Sequence, residues 1–356
     1  MTTTLRKLKA WWIIITQMGP IARLAQQLDE LIRYYVLNTL TNEGFFDYLQ
    51  KPRTYNEILA GLGFIDDAYT RDLLKILTTD KRNVLIEKDG LYQLNPDQSF
   101  PTLDEVLART DARYHNLTHY MQGMVHQMPA RLHGKPVEFS QSVDLLGRQL
   151  SERLDQALNN RIYTAMRNAI FAFLTQEDRA WLRGKALLDV GCGSGREPAE
   201  LWLRLGGDVR ITAIEPTSVM LERAIQNFPT LLQEISPNHP PLTDANSPIF
   251  QQADATRLPF DDNSFDAAFY SQVLHWTPNP RQAIGEIVRV VRPGGLIFGV
   301  QGGKPQSDPY MDIVIRTDQN CNGFFWMDEY QRWYAEHDIS VEITTPAGVF
   351  RARKPK

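Results

Sequence analysis

One ten-residue stretch constrains this chain more than any other: Ala186-Leu187-Leu188-Asp189-Val190-Gly191-Cys192-Gly193-Ser194-Gly195. An apolar run ends in an acid, then in three glycines at alternating positions. Pro198 to Leu205 follow with amphipathic spacing. Strand, glycine turn, helix is the start of a βαβ unit. A turn this tight needs residues without a Cβ, and it lets a ligand come against the backbone. Dinucleotide-binding turns run G-x-G-x-x-G. Here the third glycine comes one residue early, and Asp189 precedes the set.

Short apolar runs and amphipathic segments alternate beyond this point. Arg210 to Ile214 read as a second strand that ends in Glu215. An acid there is placed to accept from both hydroxyls of a ribose. Pro216 or Val219 then borders an adenine face. Ile249 to Ala253 read as a third strand that ends in Asp254, whose carboxylate accepts from an exocyclic amine or caps the turn after it. Asp266 to Tyr270 read as the fourth strand, and Val290 to Phe298 as a turn and the fifth.

The chain has 356 residues, enough for two domains. Lys and Arg number 38 against 42 Asp and Glu, a formal net charge of −4. That balance gives no general pull toward nucleic acid. Two cysteines, Cys192 and Cys321, exclude a disulfide framework and point to a reducing cytoplasm. Arg6, Lys7 and Lys9 precede Ala10 to Ile15, the order of a signal peptide. The apolar run is too short to span a bilayer. A helix that packs on a partner subunit fits it better than a membrane contact. Asn116-Leu117-Thr118 matches a glycosylation acceptor, which is without meaning in a cytoplasmic protein.

Before about residue 180 the pattern is mostly helical, starting with Ile21, Leu24, Leu28, Leu31, Ile32, Tyr35 and Val36. Tyr55 to Leu62 and Asp66 to Thr78 read as helices. Val84 to Glu87 and Leu91 to Leu94 flank Lys88-Asp89-Gly90, a hairpin signal. Helix, helix, hairpin is a winged-helix order. Its second helix carries Asp66, Asp67 and Asp72 against Arg71 and Lys75, a mixed face that disfavours phosphate contact and favours dimerisation. Further on, His115, His119 and His126 share a stripe of a helix turning about 100° per residue. No acid or thiol completes a metal shell in that stripe, so no metal site is assigned. The opposite side holds Tyr120, Met121, Met124 and Met128, either core or an adaptable apolar pocket. Residues 145–177 read as further helix, with Leu150, Leu154, Leu158, Ile162, Met166, Ile170 and Leu174 at four-residue steps.

Five segments occur in order: DVGCGSG, AIEP, ADATRLPFDDNSFD, SQVLHW and VVRPGGLIFGV. As an ordered set over about 186–300 they resemble the class I S-adenosylmethionine-dependent methyltransferases, of the type 11 kind. The resemblance implies an α/β fold, a Rossmann-like seven-stranded mixed sheet with a reversed last strand. Asp328 to His337 as a helix, Ser340 to Thr345 as a strand, Pro346 to Gly348 as a turn and Val349 to Arg353 as the last strand fit that scheme. The order of elements further upstream is similar to the small-molecule O-methyltransferases. The implied domains are a winged-helix dimerisation domain at 1–110, a helical linker and substrate lid at 111–182, and a catalytic domain at 183–356.

The implied cofactor is S-adenosyl-L-methionine. Gly191, Gly193 and Gly195 would let its methionine part lie over the turn, and Asp189 would hold its ammonium. Glu215 would bind the ribose, with Pro216 beside the base. Asp254 with Ala255 would meet the adenine, and the Ser271 carbonyl would face the methionine amine. Tyr120, Met121, Met124 and Trp276 would line a substrate pocket. In the O-methyltransferases a Leu-His pair followed shortly by Trp contains the catalytic base, and Leu274-His275-Trp276 resembles it. The family's extra Asp between His and Trp is missing here. Relatives that methylate carbon or carboxylate also carry a histidine at this place without using it as a base. His275 is therefore read as base or as pocket wall. The expected partners are a small, partly apolar acceptor, methylated at oxygen or secondarily at carbon, and a second copy of the chain. A protein acceptor and a cofactor-sensing winged-helix regulator are the alternatives.

Overall fold

The computed structural model describes residues 3–110, 117–144, 161–304, 308–344 and 348–356. The chain forms two compact units. One holds Met1–Ile21, Val143–Gln306 and Phe324–Lys356; the other holds Ala22–Ser142 and Ser307–Gly323. This differs from the consecutive division at 110 and 182 expected from the sequence. The helix Pro309–Ile315 lies late in the chain, yet its Tyr310, Ile313 and Val314 join the core of the second unit. Periodicity shows which face of a helix is apolar but not what covers it.

In the second unit the helix–helix–hairpin order is present. A capping box between Thr54 and Glu57 starts the helix Tyr55–Leu62, and Gly63 ends it at φ 68°. Asp67 accepts from Thr70 N–H at 3.0 Å and starts the helix Ala68–Thr79. Each such cap contributes about 1 kcal/mol. The strands β1 (Arg53–Thr54), β2 (Leu85–Lys88) and β3 (Leu91–Leu94) form an antiparallel sheet in the order β1-β3-β2. Asp89 and Gly90 join β2 to β3 with φ of 54° and 77°. Two left-handed residues in a two-residue loop match the twist of the strands they join. The helix Thr3–Asn42 contributes Leu31, Val36 and Leu40 to the core, together with Arg33, which pairs with Asp80 at 2.7 Å. Among the described residues no helix is long and apolar enough to cross a membrane.

The first unit is built on a seven-stranded sheet. Its strands are β4 (Ala186–Val190), β5 (Arg210–Glu215), β6 (Ile249–Gln252), β7 (Phe265–Ser271), β8 (Val291–Val300), β9 (Val341–Ile343) and β10 (Val349–Arg353). Their order is β6-β5-β4-β7-β8-β10-β9. Strands β4 to β8 pair in parallel, and β10 runs antiparallel to both neighbours. This is the Rossmann-like sheet with a reversed last strand that the motifs imply.

Side chains of a strand alternate between faces, and both faces here are apolar. Leu187, Phe269 and Phe298 join one core with Trp202 and Phe228 from the helices Arg196–Arg204 and Ser218–Ile235. Leu188, Tyr270 and Ile297 join the other with Ile284 and Tyr334 from the helices Pro280–Val290 and Met327–Ala335. Covered faces explain why these strands read as continuous apolar runs. The last strand is tied by charge. Asp178 accepts from Arg351 Nε at 3.0 Å and from Arg353 at 2.6 Å. Burial pushes its carboxyl up, but the bonds from Arg351 and Thr175 outweigh burial and hold it down at about 2. The C-terminal ends of β4, β5 and β7 are neighbours, and ligands of open α/β sheets bind at such ends.

Candidate active site

The glycine turn leaves β4 with Gly191, Gly193 and Gly195 at φ 72°, 54° and 97°. These are left-handed conformations that strain any residue with a Cβ. What surrounds each glycine differs. A Cβ on Gly191 would sit 2.6 Å from the Val273 side chain, and one on Gly195 would sit 2.9 Å from the Ala224 carbonyl. A Cβ on Gly193 would meet nothing within 4 Å among the described residues. The outer glycines thus allow close packing, and the middle one opens onto free space. The Gly191 and Cys192 N–H groups both donate to the Ile214 carbonyl at 2.9 Å, which holds the turn against β5. Cys192 is buried, and burial pushes its thiol well above the usual range, so it serves as a small filler.

Asp189 is 1% exposed, and neither of its carboxylate oxygens has a hydrogen-bond partner among the described residues. Burial first, then the charges of Glu197 and Glu215, hold its carboxyl well above the usual carboxylate range. A buried polar group without a partner costs free energy, and in a native fold it calls for an explanation. A cationic ligand at this place supplies one.

Glu215, at the end of β5, is also buried. Its Oε2 accepts from Gly193 N–H at 3.1 Å. Its Oε1 accepts from the Thr217 N–H at 3.2 Å and hydroxyl at 2.9 Å. Burial raises its pKa against the pull of these bonds. The glycine turn and the acid of β5 are therefore directly bonded. A carboxylate has about four lone-pair sites; three are used, so room for a hydroxyl remains.

Pro216 is half-buried, and its carbonyl accepts from Gln252 Nε2 at 2.9 Å. Asp254 is exposed, and its Oδ1 accepts from the Thr256 N–H and hydroxyl, both at 2.6 Å. That oxygen caps the following turn. Ala255 is buried beside it.

Ser271 closes β7 in register with Val300 of β8. Gln272, at φ 56°, then turns the chain, with its N–H on the Val300 carbonyl and its Oε1 accepting from Gly302 N–H. One turn of 3-10 helix, Leu274–Trp276, follows. His275 is buried within it, its ring centroid 5.2 Å from Trp276 and 4.8 Å from Phe324. Burial pulls its pKa down to about 3, so the ring is neutral at physiological pH. Gln301 Nε2 lies 3.0 Å from His275 Nδ1.

The structure thus brings Asp189, the three glycines and Glu215 together. Met124 is half-buried against the core of the second unit. Tyr120 and Met121 belong to the helix Leu117–Val125, but their side chains lie outside the described residues, as do His115 entirely and the His119 side chain. Of the expected helix over 145–177, residues 145–160 lie outside the described residues; the described part ends at Phe173, and a second helix, Gln176–Trp181, starts after the Thr175 cap. Among the described residues no group of three or more His, Cys, Asp or Glu could hold a metal.

Residues 188–299 match a family model described as a methyltransferase domain. The segment is a methyltransferase domain. A demethylmenaquinone methyltransferase of Desulfitobacterium hafniense is 27% identical over 168 residues, 45% of this chain and 60% of that one. A 27-O-demethylrifamycin SV methyltransferase of Amycolatopsis mediterranei is 35% identical over 163 residues, 45% of this chain and 55% of that one. The chain therefore matches little more than half the length of these relatives. Among solved structures, the CurJ carbon methyltransferase aligns with a TM-score of 0.70 at 14% identity, over 98% of this chain and 96% of that one. That likeness is one of fold.

The cofactor of the methyltransferase domain is S-adenosyl-L-methionine, and the residues present fit it. The Asp189 carboxyl, unpartnered among the described residues, suits an ammonium, Glu215 suits a ribose, and the position above Gly193 is open. Three residues near these groups were not evident in the sequence. Thr217 clamps Glu215. Asp144 accepts from Ser218 Oγ and Val219 N–H at 3.2 and 3.3 Å, capping a helix that its own N-cap leaves open. Gln301 meets His275 from 26 positions away. Thr217 adjoins a motif and was within reach of inspection. Gln301 belongs to no pattern.

Proposed function

We propose that this protein transfers a methyl group from S-adenosyl-L-methionine to a small, partly apolar acceptor, at oxygen before carbon. The observation that carries the reading is the buried, unpartnered Asp189 carboxyl beside the open glycine turn and Glu215. When bound, the cofactor supplies a methyl group already activated on a sulfonium sulfur. The chain has then to bind, align and exclude water, and positioning carries much of the rate. Asp189 and the Ser271 carbonyl hold the methionine ammonium, and Glu215 the ribose. Trp276 and Phe324 flank His275 with apolar rings, which suits an acceptor with an apolar body. The relative from Amycolatopsis mediterranei, whose name specifies an O-demethyl acceptor, supports oxygen.

A regulatory winged helix is less well supported. On its second helix Arg71 pairs with Asp66, and Asp72 pairs with Arg316 at 2.9 Å, so no row of free cations faces outward from these positions. A homodimer belongs to the proposal. Leu5, Leu8 and Trp12 are 53%, 59% and 66% exposed at steps of three and four along one helix, a face suited to a second copy. Sedimentation at working concentration reads this directly, and a monomer contradicts it.

Methyl-labelled cofactor, incubated with the protein and an extract of the source organism, tests the function. The label is expected in the small-molecule fraction. Label confined to protein overturns the acceptor class.

A further inference from the structure

We infer that Gln301 fixes which nitrogen of His275 carries the proton, so that His275 meets the acceptor as a hydrogen-bond donor and not as a base. The inference rests on the methyl-transfer reading and narrows its substrate class.

The Gln301 amide is held in one orientation. Its Oε1 accepts from the Leu274 N–H at 3.0 Å, and its Nε2 donates to the Gly302 carbonyl at 3.0 Å. A backbone N–H only donates and a carbonyl only accepts. Turning the amide over would set donor against donor at one end and acceptor against acceptor at the other. The group that faces His275 Nδ1 at 3.0 Å is therefore the amide nitrogen. It carries two hydrogens and has no lone pair to offer. Nδ1 has to accept, and in a neutral imidazole the proton then sits on Nε2. Gln301 is 0% exposed, and Leu274 is equally buried, so water does not compete for these bonds.

A base at this place would need the opposite tautomer. It would present a lone pair at Nε2, with Nδ1–H held by an acceptor such as a carboxylate. No acid contacts the ring among the described residues; its partners there are Gln301, Trp276 and Phe324.

The acceptor must then release its own proton. A carboxylic acid does so near neutral pH, as does a phenol or enol acidified by a conjugated carbonyl; an ordinary phenol, which titrates at about 10, and an aliphatic alcohol do not. The acceptor proton goes to water. Its lone pair forms the bond to the methyl carbon as the carbon–sulfur bond breaks, and that electron pair stays on sulfur. His275 keeps its proton throughout and donates from Nε2 to the acceptor anion. Gln301 is a positioning residue, acting through the ring.

The test reads the tautomer. Full-length protein labelled with 15N-histidine is examined by two-bond 1H–15N spectra over roughly pH 5 to 9, the range in which an ordinary histidine titrates. His275→Gln assigns the signals. The expected ring is protonated at Nε2, accepts at Nδ1 and does not titrate in this range. A proton on Nδ1 overturns the inference. Gln301→Glu offers an acceptor to Nδ1, so it is expected to move the proton there and bring a titration into range. A folded Gln301→Glu with an unchanged spectrum also overturns it. Where that variant does not fold, the wild-type spectrum decides alone. The readout needs no turnover, so a cofactor that fails to bind defeats the methyl-transfer reading and leaves the tautomer standing. A product methylated on an aliphatic hydroxyl in the labelled-extract experiment defeats the acceptor class.

Discussion

Asp189 places part of the cost of function on a single residue. It is buried near the end of β4 with two acids nearby and, among the described residues, no bond to either oxygen. Its folded-state pKa therefore lies above its unfolded one. Between those two values the folded chain keeps a proton that the unfolded chain has released, so stability falls as pH rises through the window. Asp189→Asn keeps the shape and removes the ionisation. The ligand-free variant is expected to melt above wild type at neutral pH, with a gap that widens as pH rises. The same change should weaken S-adenosylhomocysteine binding about ten- to a hundredfold, the equivalent of a charged hydrogen bond of roughly 1.5–3 kcal/mol. Melting curves that fall in parallel with pH would contradict the burial argument. His275 shows how one partner changes a reading. The sequence leaves base and pocket wall open. A buried amide at Nδ1 favours a third role, because a histidine's chemistry is set by what its other nitrogen meets.

Within the glycine turn, position decides the outcome of the same substitution. Gly193→Ala faces free space, so the fold should persist at a cost of about 1–2 kcal/mol for the left-handed backbone. Its methyl group would enter the space assigned to the cofactor, and binding should fail. Gly195→Ala meets the Ala224 backbone at 2.9 Å and should destabilise the fold whether or not cofactor is present. Chemical denaturation with and without S-adenosylhomocysteine separates the two, and equal stability losses would refute the distinction. Most of these elements were legible in the chain. Strand ends are marked because an apolar run stops at an acid or a glycine, as at Asp189 and Glu215. The hairpin is marked by Asp89-Gly90, which supply the positive φ that the turn requires. Gln301 was not legible. It follows β8 with no spacing signal, and only the pairing of β7 with β8 brings it to His275.

At the scale of the molecule, the chain order of the sheet strands was readable and the grouping of the helices was not. Motifs in order define the sheet from β4 to β8, since each strand carries its own terminating residue. Helices such as Pro309–Ile315 carry only an apolar face, and several cores could cover it. The boundaries at 110 and 182 followed the order of elements along the chain, whereas the compact units follow contact in space. The site avoids this difficulty, because Asp189, Gly193, Glu215 and His275 belong to one unit.

Every role assigned to these residues depends on their binding S-adenosyl-L-methionine. Titration calorimetry of the full chain with S-adenosylhomocysteine measures that binding. Wild type should bind one equivalent, and Glu215→Ala, whose melting is checked alongside, should lose most of the signal. Wild-type protein that shows no binding heat and no rise in melting temperature at saturating ligand would contradict the account.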